Sequence, residues 1–116
     1  MNYLVILNDA PYGSERSYNG LRLAGSLAKQ EGDTVSVFLI GDAASCAAAG
    51  QNTPNGYYNI ERMLKALVGK GAHIGICGTC MDARGVRQEM IIEGTKRSTM
   101  DELTQWTVKA DKVLVF

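Results

Sequence analysis

Two thiols separated by two residues, Cys77 and Cys80, are the most chemically specific feature of the chain. A thiolate is a nucleophile, a redox group and a soft metal ligand. A Cys-x-x-Cys therefore suits group transfer, dithiol exchange or metal binding. The pair lies in the segment Cys77-Gly78-Thr79-Cys80-Met81-Asp82-Ala83-Arg84-Gly85. Residues 73–76 before it read as a buried strand, because β-branched side chains suit a pleated, packed surface. Residues 81–88 after it read as a turn or two of helix. The cysteines thus fall where a strand ends and a helix begins, the edge at which open α/β sheets bind ligands. Unpaired N–H groups and the positive dipole end of a helix favour thiolate over thiol there. Gly78 lets the backbone approach a ligand. Arg84 lowers a nearby thiol's pKa if it folds back, and is otherwise a solvated surface charge.

Each candidate has a plainer reading. Free cysteines are among the most buried residue types, so Cys77 and Cys80 also read as small core hydrophobes. Cys46, His73, Cys77 and Cys80 are nominally four zinc ligands. His73, however, precedes Cys77 by four strand positions, roughly 13 Å, and cannot join both cysteines at one ion without breaking the strand. It reads as a strand-entry residue. Cys46 lies after the second predicted strand, near the same sheet edge, and reads first as a core cysteine in an alanine-rich helix. A thioredoxin-type dithiol fits less well, since that fold faces its motif with a later cis-proline and here Pro11 and Pro54 both precede the cysteines. The first βα turn, residues 8–14, lacks both G-x-G-x-x-G and a phosphate-loop lysine. Tyr57, Tyr58 and Trp106 read as packing or interface aromatics. Neither a Ser-His-Asp set nor clustered carboxylates suggest hydrolysis.

The elements that must position the thiols follow from the hydrophobic pattern. Strands are expected over residues 3–7, 34–40, 73–76 and 112–116, and all are apolar runs. Ser14 is a candidate N-cap for a helix running to about Glu31, stopped by Gly32. A short alanine-rich helix is expected over residues 43–49, then a loop over 50–56. Asn59 caps a helix whose apolar face is Ile60, Met63, Leu64, Leu67 and Val68. Residues 93–98 read as a polar loop. Thr99 and Glu102 form a capping-box pattern for a helix to about Lys109. Alternating strands and helices imply one α/β domain over residues 1–116, with a mostly parallel sheet covered by helices on both faces.

At 116 residues the chain suits one domain that needs no disulfides. Twelve basic residues balance twelve acidic ones, so no global field draws it to nucleic acid or an anionic membrane. Its apolar runs are far shorter than the roughly 18 residues of a membrane span. The first residues lead straight into a strand, and the cysteine count is odd. Both point to a reducing, cytoplasmic setting.

The cysteine segment resembles that of the DsrE/DsrF-like (YchN-type) proteins. Further points of resemblance are Gly13, the run Gly50-Gln51-x-Thr53-Pro54-x-Gly56-Tyr57-Tyr58, and the end Ala110-Asp111-Lys112-Val113-Leu114-Val115-Phe116. The resemblance implies a small α/β fold, assembly into trimers or hexamers, and persulfide relay between a donor and an acceptor protein. It implies Cys77 as the sulfur carrier, eight residues before Gly85, with Cys80 resolving or tuning it and Arg84 completing the pattern. Gly13, Tyr57, Gly78 and Thr79 are candidate ligand contacts. No metal or organic cofactor, membrane contact or direct nucleic-acid contact is required. The alternatives are an oligomeric binding module for a small ligand or partner protein, and a dithiol redox protein.

Overall fold

The computed structural model describes residues 1–54 and 58–116. Five strands, β1 (Asn2–Leu7), β2 (Thr34–Leu39), β3 (His73–Cys77), β4 (Thr95–Ser98) and β5 (Lys112–Val115), form one sheet in the order β4-β3-β2-β1-β5. All four neighbouring pairs are parallel. The helices are α1 (Arg16–Leu27), α2 (Ile60–Gly69), α3 (Gly78–Ala83) and α4 (Met100–Lys109), with a 3₁₀ segment at Gly41–Ala47. Among the described residues no helix is long and apolar enough to cross a membrane.

The two faces of the sheet are covered unequally. On one, Val5, Leu7, Val37, Leu39, Ile74 and Ile76 pack against α1, α2, the 3₁₀ segment and Met81 of α3. Burying each such side chain contributes about 1.5–3 kcal/mol, so this face supplies most of the core. Gly20 brings α1 close: a Cβ there would lie 2.4 Å from Leu7 Cδ2. Among the described residues the other face carries only α4, where Leu103 and Trp106 meet Leu4 and Phe38. Beyond α4, Val113 and Val115 stay exposed on that side, next to the half-buried Ile6.

Local signals place several boundaries well. Asn59 accepts the Arg62 N–H at the start of α2, and Thr99 accepts the Glu102 N–H at the start of α4. The Glu102 carboxylate does not close the expected box; it binds Ser98 Oγ and Lys96 instead. The expected polar loop over residues 93–98 is corrected: Thr95–Ser98 is the edge strand β4. Its polar sequence hid it, because an edge strand needs only one paired side. The first helix stops at Leu27 rather than Glu31, since the chain turns through Ala28 to Gln30. The N-cap position falls on Glu15 rather than Ser14, whose hydroxyl still accepts the Arg16 N–H at 3.4 Å while donating to Asp9. The alanine-rich segment is 3₁₀ and starts at Gly41, and α3 is shorter and earlier than the expected helix over 81–88.

Candidate functional site

The parallel register sets Cys77, the last residue of β3, beside Ser98, the last of β4. Cys77 is also the N-cap residue of α3, and its sulfur accepts the Cys80 N–H at 3.4 Å. Both cysteines are half-buried, and the Cys80 thiol donates to Cys77 Sγ across 2.6 Å. Thr79 Oγ1 lies 3.4 Å from the same sulfur. Burial opposes ionisation of Cys77. The Cys80 thiol, the Thr79 hydroxyl and the Cys80 and Thr79 N–H groups outweigh it, and the Cys77 pKa falls below the ordinary thiol value. Cys80 moves the other way. Burial and its bond to the ionised Cys77 raise its pKa, against the Gly41 N–H at 3.2 Å and the charge of Arg84. Ionisation is therefore easier at Cys77, and Cys80 is the thiol that holds its proton longer.

Phe38, Cys77, Gly78, Thr79, Arg97, Ser98, Thr99 and Met100 enclose a cavity of 230 Å³. It gives a small group direct access to Cys77. Arg84 does fold back, but toward Cys80: its guanidinium donates to the Cys80 carbonyl at 3.1 Å and pairs with Asp42 at 2.7 Å. Gly78 and Thr79 stand with the thiols. Gly13 lines a separate depression with Tyr12, Tyr18 and Tyr58. Tyr57 lies outside the described residues. Among those residues no group of three or more His, Cys, Asp or Glu converges as a metal site, and His73 enters β3 beside Trp106, at the opposite end of the strand from Cys77.

Cys46 is fully buried in the 3₁₀ segment, its thiol 3.6 Å from the Asp9 carbonyl. Burial pushes its pKa up to about 12. The Gly50-Gln51 pair quoted in the resemblance secures this segment. Glu61 accepts the N–H groups of both residues, and the Gln51 amide donates to the carbonyls of Cys46 and Ala48.

The residue that the sequence reading missed is Arg97. It stood in the supposed loop, and the one available signal was Gly94, a turn residue opening the short run Thr95–Ser98 before the Thr99 cap.

Comparison with known proteins gives one consistent result. A family model described as DsrE/DsrF-like family matches residues 1–116. Protein YchN of Escherichia coli strain K12 is 42% identical over 114 residues, covering 97% of each chain. The uncharacterized protein MJ0989 of Methanocaldococcus jannaschii is 39% identical over 116 residues, the full length of both chains. The crystal structure of the E. coli ychN protein superposes with a TM-score of 0.91 over 100% of both chains. The protein of unknown function MTH1491 from Methanobacterium thermoautotrophicum, 12% identical, shares the fold with a TM-score of 0.76, covering 99% of this chain and 98% of that one.

Proposed function

The chain belongs to the DsrE/DsrF-like family, and from that premise we propose that it is a small cytoplasmic sulfur-relay protein with Cys77 as the carrier. The observation that carries this reading is the convergence of donors on Cys77 Sγ at the mouth of a cavity. The Cys77 thiolate attacks the outer sulfur of a donor persulfide, R–S–S–H. The S–S bond breaks, R–S⁻ leaves, and Cys77–S–S–H remains. A partner's thiolate then takes the same outer sulfur and returns Cys77 to thiolate. Cys80 has a second part. Were it ionised, it would attack the inner sulfur, form a Cys77–Cys80 disulfide and release HS⁻. Burial and its bond to Cys77 raise its pKa, which slows this discharge, so Cys80 tunes the first thiol and resolves the persulfide only slowly.

Mass spectrometry after incubation with a persulfide donor tests the assignment. Wild type is expected to gain one sulfur on Cys77, Cys77→Ser to gain none, and Cys80→Ser to load but form no internal disulfide. Loading of Cys77→Ser with loss in Cys80→Ser would reverse the roles. The sulfur contact also favours a second reading, a dithiol redox pair. That reading expects loss of two hydrogens and no gain of sulfur.

The half-covered sheet face supports assembly into a homotrimer or a dimer of trimers. Val113 and Val115 are exposed on it, with Val108 exposed on α4 and Tyr12 and Tyr58 exposed in loops, and exposed apolar surface of this kind favours association. Sedimentation equilibrium at micromolar protein is expected to show the oligomer. Monomer alone would refute it.

A further inference from the structure

We infer that Arg97 is the positioning cation of the Cys77 site, held in the thiol's cavity by Asp82 and by the absence of a side chain at Gly78. The register sets Arg97 beside Ile76, one position before the Ser98–Cys77 pair, and Arg97 lines the cavity into which Cys77 opens. Its guanidinium lies on the Gly78 backbone. A Cβ at Gly78 would come 2.8 Å from both Arg97 Cζ and Nε, so any larger residue between Cys77 and Thr79 displaces the cation. Asp82, one turn further along α3, takes the far side of the fork with two bonds of 2.8 and 2.9 Å. A bidentate fork fixes the plane of a guanidinium as a single contact does not. The guanidinium is thereby seated over the residue next to Cys77, in the cavity that the thiol opens into.

Arg97 is itself paired, with Asp82, but it is the charged side chain among those lining the Cys77 cavity. Arg84 and Asp42 pair on the Cys80 side, and Glu102 of α4 is held by Ser98 and Lys96. Arg97 is held charged by its bond to Asp82, against a burial cost, and also by the charges of Asp82 and Cys77. A cation fixed there stabilises the Cys77 thiolate before transfer and the Cys77–S–S⁻ anion after it.

This inference rests on Cys77 being the nucleophile of the proposed relay, and its test does not require sulfur transfer. The full chain is alkylated with iodoacetamide across a pH series, and the Cys77 peptide is quantified by mass spectrometry. Arg97→Gln and Gly78→Ala are each expected to raise the midpoint and slow Cys77 alkylation about threefold or more below it. Arg97→Lys should restore part of the rate, and Arg87→Gln, an equal loss of charge elsewhere on the surface, should match wild type. Circular dichroism checks folding; if Arg97→Gln is unfolded, Arg97→Lys and Gly78→Ala carry the test. Unchanged midpoints in folded Arg97→Gln and Gly78→Ala would overturn the inference, as would an equal shift in Arg87→Gln. A chain whose midpoint depends on Arg97 but which accepts no sulfur would keep this role and sink the relay.

Discussion

Cys46 and Cys77 follow adjacent strands, β2 and β3, near the same edge of one sheet, yet their thiols are driven in opposite directions. Cys46 is enclosed by the 3₁₀ segment with its thiol directed at the Asp9 carbonyl, and burial there outweighs its hydrogen bonds with Ser17 and the backbone. Cys77 is half-exposed and collects a thiol, a hydroxyl and backbone N–H groups. The difference teaches that position at the sheet edge does not activate a cysteine. The balance between burial and the donors aimed at the sulfur decides: the donors win at Cys77 and burial wins at Cys46.

The largest expected effect tests that contrast directly. With the Cys46 pKa at about 12, about one molecule in ten thousand carries a Cys46 thiolate at pH 8. Iodoacetamide should therefore modify Cys77 at least about a hundredfold faster than Cys46 in the native chain, and denaturant should expose Cys46. Comparable native rates would break the comparison. The same group predicts an alkaline transition. Its pKa rises on folding from 9.0 to about 12, so the folded state keeps the proton longer than the unfolded chain. Its contribution to stability is fully present below pH 9 and is lost progressively between pH 9 and 12. Cys46→Ala should weaken that dependence in denaturant melts taken across the range.

A smaller effect comes from the clamp that keeps Cys46 enclosed. Glu61→Ala leaves the Gly50 and Gln51 N–H groups without their acceptor. The expected cost is about 1–3 kcal/mol, read as a lower denaturation midpoint, with faster Cys46 modification and little change at Cys77. Equal acceleration at both cysteines would show general loosening instead.

The smallest effect concerns a single donor. Thr79→Ala removes the hydroxyl 3.4 Å from Cys77 Sγ. At a long, exposed contact this should slow Cys77 alkylation by about twofold below its midpoint and leave Cys46 unaffected. A tenfold loss would mean that the hydroxyl, rather than Cys80, is the principal support of the thiolate.

The sequence by itself determined the parts whose physics is local. Asn59 and Thr99 cap their helices because a short side chain reaches an N–H three residues on. Apolar runs became β1, β2, β3 and β5: the first three are largely buried, and β5 pairs with β1 as an exposed edge strand. The apolar run before Cys77 put the thiols at the end of a strand, although α3 starts at Gly78, earlier than the helix expected over residues 81–88. The tertiary structure alone decided the rest. Thr95–Ser98 became a strand because β3 offered an unpaired edge, which nothing in four polar residues announces. Arg84, near the cysteines in sequence, serves Cys80 and Asp42, while Arg97, thirteen places beyond it, reaches the Cys77 side. Sequence distance measures backbone reach, whereas the field at a sulfur depends on which charges the fold brings beside it and which partners orient them.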